Sequence, residues 1–249
     1  MPLADVNGLQ LNFEVVGTGS PAVYLAGTRF DSAKDKAAHI REYAHGFRTI
    51  IPDPRGMGAS SHISQAEPED WVKDLADLLK ALQSPPVHLA AETLGTRIAV
   101  RFAADYPQYV RSLILNAPIA YSAPAGDEQR SRNSGPDELP EERRKSLEYH
   151  QGQDWRDVNA FYLAMHARPD FHTYYDLRQV AARVAAPTLI IRGDIDDPVH
   201  PVLHAVELHA LIRNSWLAIL PNTGFNALLG RPTESWDLIR RFTKERAPS

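Results

Sequence analysis

Apolar residues follow two periodicities along this chain. Leu9, Leu11, Phe13 and Val15 alternate with polar or smaller neighbours, the period-2 signature of a strand, and Asn7-Gly8 before them is a two-residue hairpin signal. Short apolar runs recur at 22–25, 47–51, 87–91, 112–116, 188–192 and 216–220. Helical spacing fills the gaps. Residues 68–83 place Trp71, Leu75, Leu78, Leu79 and Leu82 on one face, with Pro68 suited to a first helical position and Pro85-Pro86 as the stop. Further helices are expected over 33–45 and 98–104 and around Trp236, Ile239 and Phe242. Short apolar strands separated by helices predict an α/β fold: a mostly parallel sheet buried on both faces by flanking helices.

The stretch between the strands at 112–116 and 188–192 differs. Tyr121 to Pro140 is rich in Ser, Pro, Gly and charge and reads as a mobile loop; 140–183 reads as several helices rich in aromatics. We take 120–183 as an inserted helical cap and 1–119 with 184–249 as the core. No internal repeat is present.

Composition narrows the function classes. Over 249 residues, 43% are hydrophobic and 23% charged, which excludes disorder along most of the length. A formal charge of −4 removes the electrostatic case for nucleic acid or an anionic membrane. Without cysteine there is no disulfide, thiolate nucleophile or cysteine metal site, which fits a reducing compartment. No apolar run approaches the roughly 18 residues of a membrane span, and MPLADVNGLQ lacks the features of a signal peptide, so a cytoplasmic location is expected. The ten histidines show no metal-ligand spacing with a nearby carboxylate, so neither metal nor cofactor is expected. The expected partner is a small-molecule substrate; a homodimer is left open.

The order of motifs is more specific than any one of them. Strands end in Ala26-Gly27, in Asp53-x-Arg55-Gly56-x-Gly58-x-Ser60, in Ala91-Glu92-Thr93-Leu94-Gly95, in Gly193-Asp194-Ile195-Asp196 and in Pro221-Asn222-Thr223-Gly224-Phe225. Along nearly the whole chain this resembles the α/β-hydrolase superfamily, and 120–183 sits where that family inserts its cap. The resemblance implies a nucleophile at the centre of G-x-S-x-G, on a strained strand-to-helix turn. Here that position is Thr93. It implies an acid near the end of the strand around residue 190, which matches Asp196, with Asp194 and Asp197 as rivals. It implies a histidine after the last strand, where this chain has Phe225. Asp53 and Arg55 are implied as structural braces.

These departures decide the chemistry expected. A Thr or Ser hydroxyl is a weak nucleophile without an adjacent base, and phenylalanine accepts no proton. Losing the base alone costs on the order of 10⁶ in turnover in a serine protease. The site residues expected are Thr93 and Asp196 for catalysis, and Thr28, Arg29, Leu94, Phe225, Trp155, Tyr162 and His166 for substrate. The Leu94 N–H and one in the Thr28-Arg29 loop are the candidate oxyanion donors. Arg29 is also a candidate partner for a substrate carboxylate or phenolate. His150, His166 and His200 are candidate replacement bases, and Glu92 a buried carboxylate beside the elbow. The leading expectation is elimination, cyclisation or rearrangement of an apolar, aromatic or polyketide-like substrate. The alternatives are a hydrolase with a displaced base and a non-catalytic ligand-binding protein on the same scaffold.

Overall fold

A computed structural model describes residues 2–27, 29–41, 45–132, 134–135 and 137–247. Eight strands form one sheet: β1 (Leu3–Val6), β2 (Leu9–Val16), β3 (Gly19–Leu25), β4 (Gly46–Pro52), β5 (Val87–Glu92), β6 (Val110–Asn116), β7 (Thr188–Gly193) and β8 (Ser215–Leu220). Their order is β1-β2-β4-β3-β5-β6-β7-β8. Only β2 runs against its neighbours; β3 to β8 pair in parallel. The hairpin joining β1 to β2 has φ of 47° at Asn7 and 75° at Gly8, the left-handed pair that the Asn-Gly signal predicts.

The continuous apolar runs are explained by two buried faces. Val23, Leu89, Leu113 and Ile190 point to one side of the sheet, and Tyr24, Ile51, Ile114 and Leu189 to the other. The first side is covered by α2 (Asp70–Ala81) and α3 (Leu94–Asp105), the second by α1 (Ala33–Ile40) and the C-terminal helices. Burying each such side chain is worth about 1.5–3 kcal/mol. Helix α3 begins four residues before the expected 98 because no loop intervenes after β5; the chain turns from strand to helix at one residue. Residues 42–44 of the expected 33–45 helix lie outside the described residues.

Between β6 and β7 come α4 (Pro124–Ser131), α5 (Glu141–Gln151), α6 (Trp155–Ala167) and α7 (Pro169–Tyr174). The expectation of a loop over 121–140 is therefore corrected in part: Pro124–Ser131 is helical, with Pro124 at the first turn, Asp127 within it and Arg130 in the last turn. Three further helices close the fold, α8 (Val202–Leu211), α9 (Ala227–Gly230) and α10 (Pro232–Arg246).

The inserted helices are tied to the loop after β4. Gln151 accepts from the Gly58 N–H at 2.6 Å and donates to the Arg29 carbonyl at 2.6 Å. Gly56 lies so close to Phe161 that a Cβ there would sit 2.4 Å from the ring. The same loop is braced from below. Asp53 accepts from the N–H groups of Ala33 (2.6 Å) and Ala59 (3.0 Å) and from Asn12 (2.7 Å), while Arg55 is ion-paired with Asp74 and, at 2.9 Å, with Asp70.

Candidate active site

At the carboxyl ends of the parallel strands, where open α/β sheets bind ligands, lies a cavity of about 560 Å³. Its centre is the turn between β5 and α3. Thr93 has φ 48° and ψ −118°, a backbone region that is costly for a β-branched residue. Glycines on both sides make the turn sterically feasible: a Cβ on Gly27 would fall 1.5 Å from Thr93 Oγ1, and one on Gly95 2.6 Å from the Leu25 carbonyl. The nucleophile elbow is thus present in backbone form. Thr93 Oγ1 is buried and, among the described residues, has no hydrogen-bond partner. The Leu94 N–H, expected as an oxyanion donor, donates at 3.3 Å to the Gly27 carbonyl.

Phe225 lines the cavity and stacks face to face on His200, with centroids 4.1 Å apart and planes 8° from parallel. His200 Nδ1 is 2.9 Å from Asp197 Oδ1, which also accepts from the N–H groups of Val199 (2.9 Å) and His200 (3.0 Å). Gln129 on α4 reaches the other carboxylate oxygen at 3.3 Å. The hydrogen bond from His200 holds the Asp197 carboxyl below its ordinary pKa. Burial pushes the His200 imidazole below 6.5, against the upward pull of Asp197. Both residues line the cavity.

The other expected acid lies elsewhere. Asp196 is exposed; its Oδ1 accepts from the Val202 N–H at 2.7 Å, bracing the start of α8, and stands 3.5 Å from Arg192. It does not line the cavity, and the acid that does is its rival Asp197. Asp194 is bonded to the Thr223 N–H at 3.2 Å between the β7 and β8 ends. His150 faces Asp35 at 3.1 Å and is outside the cavity lining.

Among the expected substrate contacts, Arg29, Leu94, Tyr162, His166 and Phe225 line the cavity. Thr28 lies outside the described residues. Trp155 does not line it: at the start of α6 its ring packs with Leu139 and Leu147 in a small separate core. Phe161, Phe171 and Tyr175 surround Trp71 at ring separations of 6.3, 6.0 and 6.5 Å, so most of the aromatic stripe is packing. Glu92 is buried and anchored by Lys36 and, at 3.0 Å, by Asn226.

Among the lining residues that escaped the sequence reading, one is a buried arginine. Arg97 is fully buried. Its Nε donates to the Ile119 carbonyl at 3.4 Å and one terminal nitrogen to Ser122 Oγ at 3.0 Å; the other terminal nitrogen has no partner. Burial lowers its pKa to about 10. The available signal was a lone Arg in the first turn after the elbow, followed by the apolar run Ile98-Ala99-Val100.

Comparison with known proteins agrees with this architecture. A profile of the alpha/beta hydrolase fold family matches residues 31–182. Serine hydrolase BPHL of Homo sapiens is 30% identical over 236 residues, covering 89% of this chain and 78% of that protein. Its Mus musculus counterpart is 29% identical over 251 residues, covering 95% and 84%. The crystal structure of MGS-M2, an alpha/beta hydrolase from a Medee basin deep-sea metagenome library, superposes with a TM-score of 0.80 at 20% identity, over 100% of this chain and 99% of that one. No helix among the described residues is long and apolar enough to cross a membrane. The chain belongs to the α/β-hydrolase family of enzymes.

Proposed function

We propose that this protein is a small-molecule enzyme that carries out an elimination, cyclisation or rearrangement, with His200 and Asp197 moving the proton and no covalent intermediate on Thr93. The observation that carries this reading is the buried, unpartnered Thr93 hydroxyl, with Phe225 where the family base would stand. A nucleophile with no base in hydrogen-bond reach is not activated. The acid–base chemistry sits one ring further out. His200 is lowered below the ordinary imidazole pKa, so it is the free base at neutral pH. Its Nδ1 is held by Asp197, which leaves Nε2 as the basic nitrogen. Asp197 thereby orients the ring and stabilises the imidazolium after proton uptake, as a buried carboxylate does in a triad.

Unimolecular chemistry suits such a pocket because orientation alone lowers a barrier by several kcal/mol. The helices of 120–183 act as the cap, supplying Tyr162 and His166 to its inner wall. The Leu94 N–H, one of the two candidate oxyanion donors, is directed at the Gly27 carbonyl at 3.3 Å, which weakens the case for acyl transfer.

The test is exposure to a fluorophosphonate followed by intact-mass and peptide mass spectrometry. No adduct is expected at Thr93; a stoichiometric one overturns the reading. A second reading, hydrolysis with a displaced base, draws support from the near full-length similarity to a serine hydrolase. In that case His200 would activate Thr93, and the adduct or an acyl-enzyme would be trapped.

A further inference from the structure

The cavity contains two buried guanidinium groups that have no carboxylate partner among the described residues. Arg29 is 4% exposed and Arg97 0%. Among the described residues neither has a carboxylate within ion-pair distance, and Nε of Arg29 and a terminal nitrogen of Arg97 are without hydrogen bonds. Most other charges on the cavity wall are already matched. Lys36 is paired with Glu92 and, at 3.6 Å, with Asp31; Asp35 with His150; Asp197 with His200; and Arg130 with Asp127 at 2.6 Å. Arg55, by contrast, has both Asp70 and Asp74 as ion-pair partners. An unpaired buried charge is costly and persists where a ligand supplies the counter-charge.

The surroundings specify the ligand further. The Arg29 guanidinium lies over the Tyr162 ring at 4.4 Å and the Phe30 ring at 4.8 Å, which fixes its plane and leaves its edge for a partner. His166 sits beside both arginines, buried, with neither ring nitrogen bonded. Arg143, exposed at the rim, adds a further positive charge to the cavity lining. The rest of the wall is apolar: Leu94, Ile119, Val199 and Leu228.

We propose that this cavity selects a carboxylate-bearing small molecule with an apolar body, the carboxylate being bound by Arg29 and Arg97 beside His166. A planar guanidinium fork matches a carboxylate in bidentate fashion, and the apolar wall accommodates the remainder of the molecule. The inference rests on the proposed function only in taking this cavity as the substrate's site; it does not depend on which reaction follows.

The test is calorimetric titration of the full chain with ω-phenylalkanoates, from phenylacetate to 6-phenylhexanoate, each paired with its neutral amide. The best acid should bind at least tenfold tighter than its amide at pH 7, and the ratio should shrink with added salt. Arg29→Gln should collapse that ratio to below threefold, weakening the acid far more than the amide. Arg97→Gln should do the same, and if it does not fold, Arg29→Gln alone carries the test. Equal binding of acid and amide, or an intact ratio in Arg29→Gln, overturns the carboxylate assignment and leaves the proposed function standing. Failure of every acid and amide to bind overturns the assignment and removes this cavity as the substrate site, and the proposed function with it.

Discussion

Two walls of one cavity are built on opposite principles. The wall formed by β5, Thr93 and α3 keeps the backbone of a nucleophile elbow, with its left-handed residue and flanking glycines, but carries a hydroxyl bonded to nothing. The opposite wall, the loop between β7 and α8, places a bonded His200–Asp197 pair against Phe225. One wall carries the backbone of the elbow, the other a hydrogen-bonded imidazole–carboxylate pair. The difference teaches that elbow geometry is a property of packing: it holds with threonine at the turn because Gly27 and Gly95 leave room for it.

The largest test of this contrast removes the chemistry from each wall in turn. p-Nitrophenyl acetate cleavage, which a positioned imidazole promotes, should fall about 10²-fold in His200→Ala, the lower end of what a positioned acid–base group contributes. Thr93→Ala should cost less than about tenfold, since a hydroxyl without a base supplies little. The reverse order would break the comparison and restore a Thr93-centred hydrolase.

A second test addresses packing. Gly27→Ala drives a methyl into Thr93 and should destabilise by about 1–3 kcal/mol in a denaturant melt. Gly224→Ala, in the loop after β8 that carries Phe225, meets nothing within 4 Å and should stay within about 0.5 kcal/mol. Equal costs would mean the elbow is no tighter than that loop.

Repair of the triad sharpens the comparison further. Thr93→Ser with Phe225→His restores two side-chain types, yet Asp197 is already occupied by His200. The double variant should therefore gain less than tenfold in p-nitrophenyl ester cleavage. Adding His200→Val frees Asp197 to orient the new imidazole, and the triple variant should exceed the double and take up fluorophosphonate at position 93, because triad members act as a unit. A double variant already as active as the triple would show that His200 does not hold Asp197 back.

The smallest effect expected is on pH dependence. His200 acts as base only when unprotonated, and burial lowers its pKa below 6.5. The kcat/KM profile should hold its plateau below the pH at which an ordinary histidine titrates, then decline as pH falls further. Asp197→Asn removes an upward pull on that pKa, so the acidic limb should move to lower pH still. A limb moving upward would mean another group controls it.

The fold was legible because alternating faces of β3, β5, β6 and β7 are both buried, which produces apolar runs that no other architecture explains as simply. The elbow was legible from Thr93 and Gly95 placed between a strand and a helix. The acid was not resolved among three aspartates within four residues. Which of them faces the cavity depends on how the loop enters α8, where Asp196 is taken by the Val202 N–H. Arg97 was missed because helical periodicity assigns a residue to a face without showing what lies opposite. Trp155 was misplaced for a related reason: an aromatic on an inserted helix can pack beneath its neighbouring helix as readily as face a ligand.

The Gln151 amide bonds both the Gly58 N–H and the Arg29 carbonyl. Helix α5 therefore cannot lift from the core without releasing the segment that carries Arg29. If Arg29 binds an acid as proposed, displacing α5 would also disturb the backbone of the residue that holds it, so Gln151 links the inserted helices to the charged end of the ligand.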